Sequence, residues 1–362
     1  MKIGGVWHRS VWVDRDDHWS IRVLDQTRLP WATDVLRLTT RDEAAHAIRS
    51  MQTRGAPLIG AVAAYGLCLA LRTGHTTEAM ERDAAILAET RPTAINLRWA
   101  LGRMLTRLRN TRPANRVAAA YQEAAAIADE DAAQCEAIGD HGLPVIQSRT
   151  SQSRVNVLTH CNAGWLATVD WGTALAPIYK AHDAGIDVHV WVDETRPRNQ
   201  GAALTAWELG QHGVQHTVIA DNAGGHLMQH GQVDVVIVGT DRVTRIGDVA
   251  NKIGTYLKAL AARDNDVPFW VALPSSTIDW TVSDGIADIP IEERSASEVT
   301  DITGRLADGT IATMRVAAEG SPAANPAFDV TPARLVTGLI TERGRCAASA
   351  DGLAGLFPDQ SR

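Results

Sequence analysis

The sequence predicts an α/β protein: a mainly helical N-terminal domain with a small antiparallel hairpin, then a Rossmann-like, doubly wound parallel sheet. Between residues 155 and 274, five short apolar runs rich in β-branched residues are separated by helical segments of about one to two dozen residues, the spacing of strands joined by crossovers. Ahead of them, from Arg41 to about Gly139, apolar residues recur at helical intervals instead. The Gly, Pro and Ser residues of GDHGLPVIQSRTSQS (139–153) mark the change of rhythm, so domains are expected at 1–145 and 146–362.

In chain order, VWVD (11–14) and HWSIRVLD (18–25) alternate apolar and polar residues, as in a hairpin. RDEAAHAIRSM (41–51) is amphipathic, and NLRWALGRMLTRL (96–108) repeats apolar residues at helical spacing. AAAYQEAAAIADEDAAQCEAIG (118–139) is rich in helix-favouring residues. APLIGAVAAYGLCLAL (56–71) is uncharged but shorter than the ~18–20 residues of a membrane span, so a helix packed inside the protein is expected. The strand candidates are Val155–Cys161, Val188–Glu194, His216–Asp221, Val233–Gly239 and Pro268–Pro274. A further helix is expected to begin near Asn251-Lys252.

The 362 residues are 45% hydrophobic and 21% charged, an ordinary globular balance. A net charge of -7 and the lack of any Lys/Arg-rich run argue against nucleic acid as a partner. Cys68, Cys135, Cys161 and Cys346 have neither CxxC spacing nor a disulfide-dense pattern, which fits a reducing cytoplasm. The N-terminus does not read as a signal peptide. No GxGxxG follows the first strand, so a dinucleotide cofactor is not expected. His226 and His230 have the i, i+4 spacing of metal ligands but no HExxH, and no metal is expected.

Chemistry collects where the strands end. Thr159-His160-Cys161-Asn162, Asp193-Glu194-Thr195-Arg196, Asp221-Asn222 and Thr240-Asp241 all fall there, and open α/β sheets bind ligands beyond the carboxyl ends of their strands. Asp241 can exchange a proton or merely cap a turn, and Cys161 can be a reactive thiol or a small core filler. Arg54-Gly55-Ala56-Pro57 has the parts of a phosphate clamp: a forked cation, a backbone free to approach closely and a proline suited to the first helical turn. The same pattern also fits an ordinary loop-to-helix junction. Arg91-Pro92 repeats the idea, Gln200 before Gly201 can bond a sugar hydroxyl or cap a helix, and Asn251 and Lys252 can hold an anion.

These stretches together resemble the S-methyl-5-thioribose-1-phosphate isomerases of methionine salvage. The likeness runs through LDQT (24–27), RGAPLIGAVAAYG (54–66), RPTAINL (91–97), THCNAG (159–164) and DETRPRNQGA (193–202). It continues through DN (221–222), VGTDRV (238–243), GDVANKIGTY (247–256), IPIEER (289–294) and NPAFDVTP (325–332). The resemblance implies an aldose–ketose isomerase with no cofactor, acting on a small sugar phosphate, homodimeric, with no membrane partner. It puts the catalytic pair on Cys161 and Asp241 and the substrate contacts on Arg54, Gly55, Ala56, Arg91, Gln200, Asn251 and Lys252. Thr240 departs from the family's usual Ala, and the tail after Arg345 has no clear counterpart and is expected to be disordered. Related enzymes would act on 5-deoxyribose 1-phosphate or ribose 1,5-bisphosphate, and regulatory subunits of a translation initiation factor's exchange complex are similar without being enzymes. Retention of both Cys161 and Asp241 argues against the subunit reading. The implied chemistry has Asp241 protonate the sugar's ring oxygen, after which hydrogen moves from the second carbon to the first as a proton or as hydride.

Overall fold

The computed structural model describes residues 2–74, 76–149 and 154–360. The chain opens with a short hairpin, β1 (Lys2–Ile3) and β2 (Val6–Trp7). A three-stranded antiparallel sheet follows, β3 (Val11–Val13), β4 (Ile21–Leu24) and β5 (Val35–Leu38), one strand more than the alternation indicated. Five helices come next: α1 (Arg41–Arg49), α2 (Ala56–Leu71), α3 (Thr77–Ala88), α4 (Ile95–Arg109) and α5 (Arg116–Gln147). Thr40 caps α1 in a capping box with Glu43, satisfying two backbone donors at once. Every residue of α2 except Pro57 is buried, because α1, α4 and α5 pack around it; this surrounds the uncharged stretch with protein. The helical rhythm does not stop near Gly139: α5 runs through Gly142 and Pro144 to Gln147. Gly142 lies so close to Pro177 that a Cβ would be 2.3 Å from its ring. The small residues there serve helix packing, and the last four residues of the expected break, 150–153, lie outside the described residues.

The parallel sheet is built from β6 (Val155–Thr159), α6 (Ala176–Asp183), β7 (Val188–Asp193), α7 (Ala206–His212), β8 (Gln215–Ile219), α8 (Ala223–Gln229) and β9 (Val235–Val238). β10 (Arg242–Thr244), β11 (Val249–Lys252), α9 (Thr255–Asp264), β12 (Phe269–Ala272), β13 (Ile278–Asp279), α10 (Gly285–Asp288) and α11 (Ser297–Thr300) follow. The chain closes with β14 (Asp301–Arg305), β15 (Ile311–Arg315), β16 (Phe328–Thr331), β17 (Gly338–Thr341), β18 (Gly344–Cys346) and α12 (Ala350–Leu356). The seven-stranded sheet runs β18-β17-β12-β9-β6-β7-β8, parallel except for the edge strand β18. All five expected strands are present. β17, which none of the five expected strands covers, completes the doubly wound order, with connections that reverse direction between β6 and β9. Val155 and Val157 of β6 enter the core shared with α5, α6 and α7, while Leu158 enters the opposite core with α8 and α9. Burial on both faces is what makes these strands read as unbroken apolar runs.

Two expectations fail. Asn251 and Lys252 do not open a helix; they end β11, inside a second sheet ordered β13-β10-β11-β16. The partner β16 lies far along the chain, and its Asp329 and Phe328 pair with Asn251 and Lys252. Gly254, at φ 102, turns the chain in a conformation no helix contains, so α9 begins only at Thr255. Among the described residues, the tail after Arg345 is built into the fold: β18 pairs with β17, and Leu353 and Phe357 are buried, the latter edge-on to Trp280. Among the described residues, no helix is long and apolar enough to cross a membrane.

Candidate active site

The reversal between β6 and β9 leaves a crevice outside the carboxyl ends of those strands. Cys161 lies just beyond β6 and Asp241 just beyond β9, and both face one cavity of about 60 Å³. Arg54, Gly55, Ala56, Arg91, Gln200, Asn251 and Lys252 line the same cavity, so all nine expected residues meet there. Arg54, Gly55 and Ala56 arrive from the entry to α2, Arg91 from the turn before α4, Gln200 from the loop after β7, and Asn251 and Lys252 from β11. Met51, Asn162, Thr173, Gly239 and Phe328 also contribute. Phe328 carried only a motif position in the sequence; its strand alone reveals its place, because β16 sets its ring 4.8 Å from the Lys252 ammonium.

The backbone is bent to make this site. Cys161 has φ 64 and Thr195 φ 65, a region non-glycine residues adopt at a cost of about 1–3 kcal/mol and hold only where the surroundings enforce it. The Cys161 N–H donates to Thr195 Oγ1 (2.8 Å), and Thr195 N–H donates to Asp221 Oδ1 (2.8 Å). His160, beneath Cys161, places Nδ1 3.0 Å from Asp193 Oδ2 and Nε2 2.8 Å from the Ile253 carbonyl, tying β6 to the turn after Lys252. His160, Asp193 and Asp221 lie close enough to hold a metal. However, the Lys258 ammonium, 3.3 Å from Asp193 Oδ2, already supplies positive charge there. The Asp221 oxygens accept the Thr195 and Arg196 N–H groups, so the cluster reads as structural support. His226 on α8 and His230 just after it set their rings 4.2 Å apart and belong to no such cluster among the described residues.

Gly55 permits the closest approach. Its φ is 102, and a Cβ would lie 2.3 Å from the Ala167 carbonyl oxygen, so only glycine lets the start of α2 meet the loop after β6. Burial dominates the electrostatics. It raises the pKa of the Asp241 carboxyl, against the pull of Lys252, Arg91 and Arg54. It also raises that of the Cys161 thiol, against Lys252 and Arg54, and lowers that of the Lys252 ammonium. Cys161 Sγ lies 3.5 Å from Gln200 Oε1. Among the described residues, neither the Asp241 carboxyl nor the Lys252 ammonium has a side-chain hydrogen bond or ion pair. Arg91 pairs with Glu292 at 3.0 Å, but its buried Nε has no acceptor. A carboxyl and a thiol whose pKa values burial raises, together with cations that keep unused donors, thus surround one small cavity, an arrangement suited to a phosphorylated substrate.

Two hollows adjoin it. A groove of about 580 Å³ shares Met51, Arg54 and Gln200 but holds neither Cys161 nor Asp241, so its size does not mark the chemistry. A recess of about 40 Å³ shares Gly55, Ala56, Arg91, Asp241 and Phe328, and is otherwise walled mainly by Ile59, Ala94, Ala250, Ile289, Pro290 and Ile291.

Residues 52–348 match the model of the initiation factor 2 subunit family. A methylthioribose-1-phosphate isomerase from Acidiphilium cryptum is 69% identical over 362 residues, covering 100% of this chain and 99% of that protein. The crystal structure of 5-methylthioribose 1-phosphate isomerase from Pyrococcus horikoshii superposes with a TM-score of 0.84 at 40% identity, over 98% of this chain and 96% of that one. That of the delta subunit of translation initiation factor eIF-2B from A. fulgidus gives 0.81 at 37% identity, over 97% and 100%. The chain belongs to the initiation factor 2 subunit family, within its methylthioribose-1-phosphate isomerases.

Proposed function

We propose that this protein converts S-methyl-5-thio-α-D-ribose 1-phosphate to S-methyl-5-thio-D-ribulose 1-phosphate, the aldose–ketose step of methionine salvage, with Asp241 and Cys161 as the catalytic pair. The observation that carries the reading is the convergence of a burial-raised carboxyl, a buried thiol and the cations Arg54, Arg91 and Lys252 on one cavity. Phosphate on the anomeric oxygen prevents simple ring opening. The Asp241 carboxyl therefore gives its proton to the ring oxygen, and the bond from that oxygen to C1 breaks. C1 is left electron-poor, stabilised by the phosphoester oxygen. Hydride then passes from C2 to C1, and the C2 hydroxyl returns a proton to the Asp241 carboxylate as the ketone forms.

Hydride transfer suits this site better than a phosphoenolate. A thiol whose pKa burial raises is a poor resident base, so Cys161 serves instead to stabilise the developing positive charge, and the small cavity, lined largely by buried side chains, limits water's access to the cationic intermediate. Arg54, Arg91 and Lys252 hold the phosphate, Gln200 and Asn251 orient the hydroxyls, and the Gly55-Ala56 backbone packs against the sugar. The apolar recess beside Asp241 receives the methylthio group. Of its two arginines, Arg91 is committed to the first phosphate and Arg242 is engaged by Asp279 (3.4 Å) and the Thr93 carbonyl, which disfavours a second phosphate. A purely assembling subunit would have no use for an acid and a thiol on one cavity.

The test is a coupled assay offering methylthioribose 1-phosphate, 5-deoxyribose 1-phosphate and ribose 1,5-bisphosphate side by side. The expected order of kcat/KM is methylthio, then deoxy, then bisphosphate; turnover of the bisphosphate alone would overturn the assignment.

A further inference from the structure

Behind the cavity, outside its lining, lies a carboxyl group the mechanism does not use, its pKa pushed up from 4.5 to about 8 by burial against the pull of its hydrogen bonds. Glu208, on α7, is fully buried, and both its oxygens accept: Oε1 from Asn162 Nδ2 (2.9 Å) and Oε2 from the Leu166 N–H (3.2 Å). Thr205 Oγ1 accepts from the same Asn162 nitrogen at 3.1 Å and donates to the Cys161 carbonyl at 2.7 Å. With its NH2 claimed from that side, the Asn162 amide has one orientation, and its oxygen faces the Arg54 guanidinium. The Asn162 carbonyl accepts a second Arg54 N–H at 2.6 Å.

Arg54 is itself buried and has no carboxylate in ion-pair contact among the described residues. A buried cation is costly unless it is held by hydrogen bonds or meets an anion. Asn162 provides the hold while leaving the charge unpaired. The fit around Glu208 is close: a Cβ on Gly164 would lie 1.4 Å from its Oε1. A direct Glu–Arg pair would neutralise the guanidinium. An amide between the two aims it and leaves its charge for the ligand.

We propose that Glu208 is a positioning residue that acts through Asn162 to aim Arg54 at the substrate phosphate, with Thr205 latching the Cys161–Asn162 peptide in the same frame. The proposal rests on the phosphate-binding role given to Arg54 above. Phosphate is present in both ground and transition states, so the relay serves binding more than the chemical step.

Glu208→Gln is the direct probe. One side of a Gln amide donates, so it must turn an NH2 toward either the Leu166 N–H or the Asn162 NH2, and that donor–donor clash shifts the loop after β6 or turns the Asn162 amide that faces Arg54. The expected result is a KM for methylthioribose 1-phosphate raised about tenfold or more, with kcat within about threefold of wild type. In an Arg54→Ala background the same change should add nothing further, because residues in one chain of contacts are non-additive. Asn162→Ala should behave likewise, and it carries the cycle if Glu208→Gln does not fold. Calorimetric titration with inorganic phosphate reads the same cycle without turnover. An unchanged KM and phosphate affinity in both Glu208→Gln and Asn162→Ala, or effects that multiply with Arg54→Ala, would overturn the relay. A wild-type protein that binds phosphate through this cycle but does not isomerise the sugar would instead overturn the proposed reaction.

Discussion

At the scale of single residues, each prediction follows from where a proton or charge must sit. Asp241→Asn keeps the shape of the acid but not its proton; turnover should vanish while substrate still binds, checked by single-turnover kinetics and equilibrium binding. Cys161→Ser should lower kcat by about two orders of magnitude, the scale of a positioned polar group at the reacting atoms. Asp241 must be protonated to act, so kcat/KM should fall as pH rises through its raised pKa. Lys252 opposes that rise, and Lys252→Met should move the descending limb to higher pH while raising KM. In heavy water the product's C1 should carry no deuterium if hydride migrates; incorporation would favour the proton route.

Single elements act by delivering residues rather than by supplying chemistry. The entry to α2 reaches the cavity only because Gly55 lets two backbones touch. Gly55→Ala should therefore destabilise the protein by about 1–3 kcal/mol in urea unfolding and reduce activity, since a Cβ collides with Ala167 and the φ is unfavourable. β11 shows the limit of local reading. VANK followed by a loop and a helix-favouring stretch looks like a helix start, but its partner β16 is supplied from far along the chain and holds it as a strand. The cationic and amide side chains still reach the cavity, from a strand end instead of a helix start.

For the molecule as a whole, the C-terminal tail is part of the fold. Phe357 is 1% exposed, and Phe357→Ala should cost about 3–5 kcal/mol, read from the denaturant midpoint. Deep burial also makes stability depend on pH. Asp131 on α5, which accepts the Val169 N–H at 2.7 Å, has its pKa pushed up from 3.8 to about 7 by burial. It binds a proton more tightly folded than unfolded, so its contribution is complete below the unfolded pKa and is lost as pH rises to about 7. Asp131→Asn should therefore gain stability relative to wild type between about pH 4 and pH 7 in urea unfolding, and the difference should level off above that range. The homodimer that the family suggests is a proposal for this chain, to be checked by light scattering on the purified protein.

The parallel-strand sequence, the buried helix α2 and the identities of the nine cavity residues were legible in the chain, because they rest on local apolar pattern and short motifs. What the sequence determined is the inventory: an acid, a thiol, cations and amides, each at the end of a strand or beside a helix. Tertiary structure decided the convergence, the strand identity of Asn251 and Lys252, the place of Phe328, the order in the tail and the relay from Glu208. Glu208 looks like any polar residue of a helix until its two oxygens are seen to accept from the loop after β6. Periodicity records which face of an element meets apolar surroundings, whereas pairing across many tens of residues is set by which surfaces remain to be covered when the chain closes.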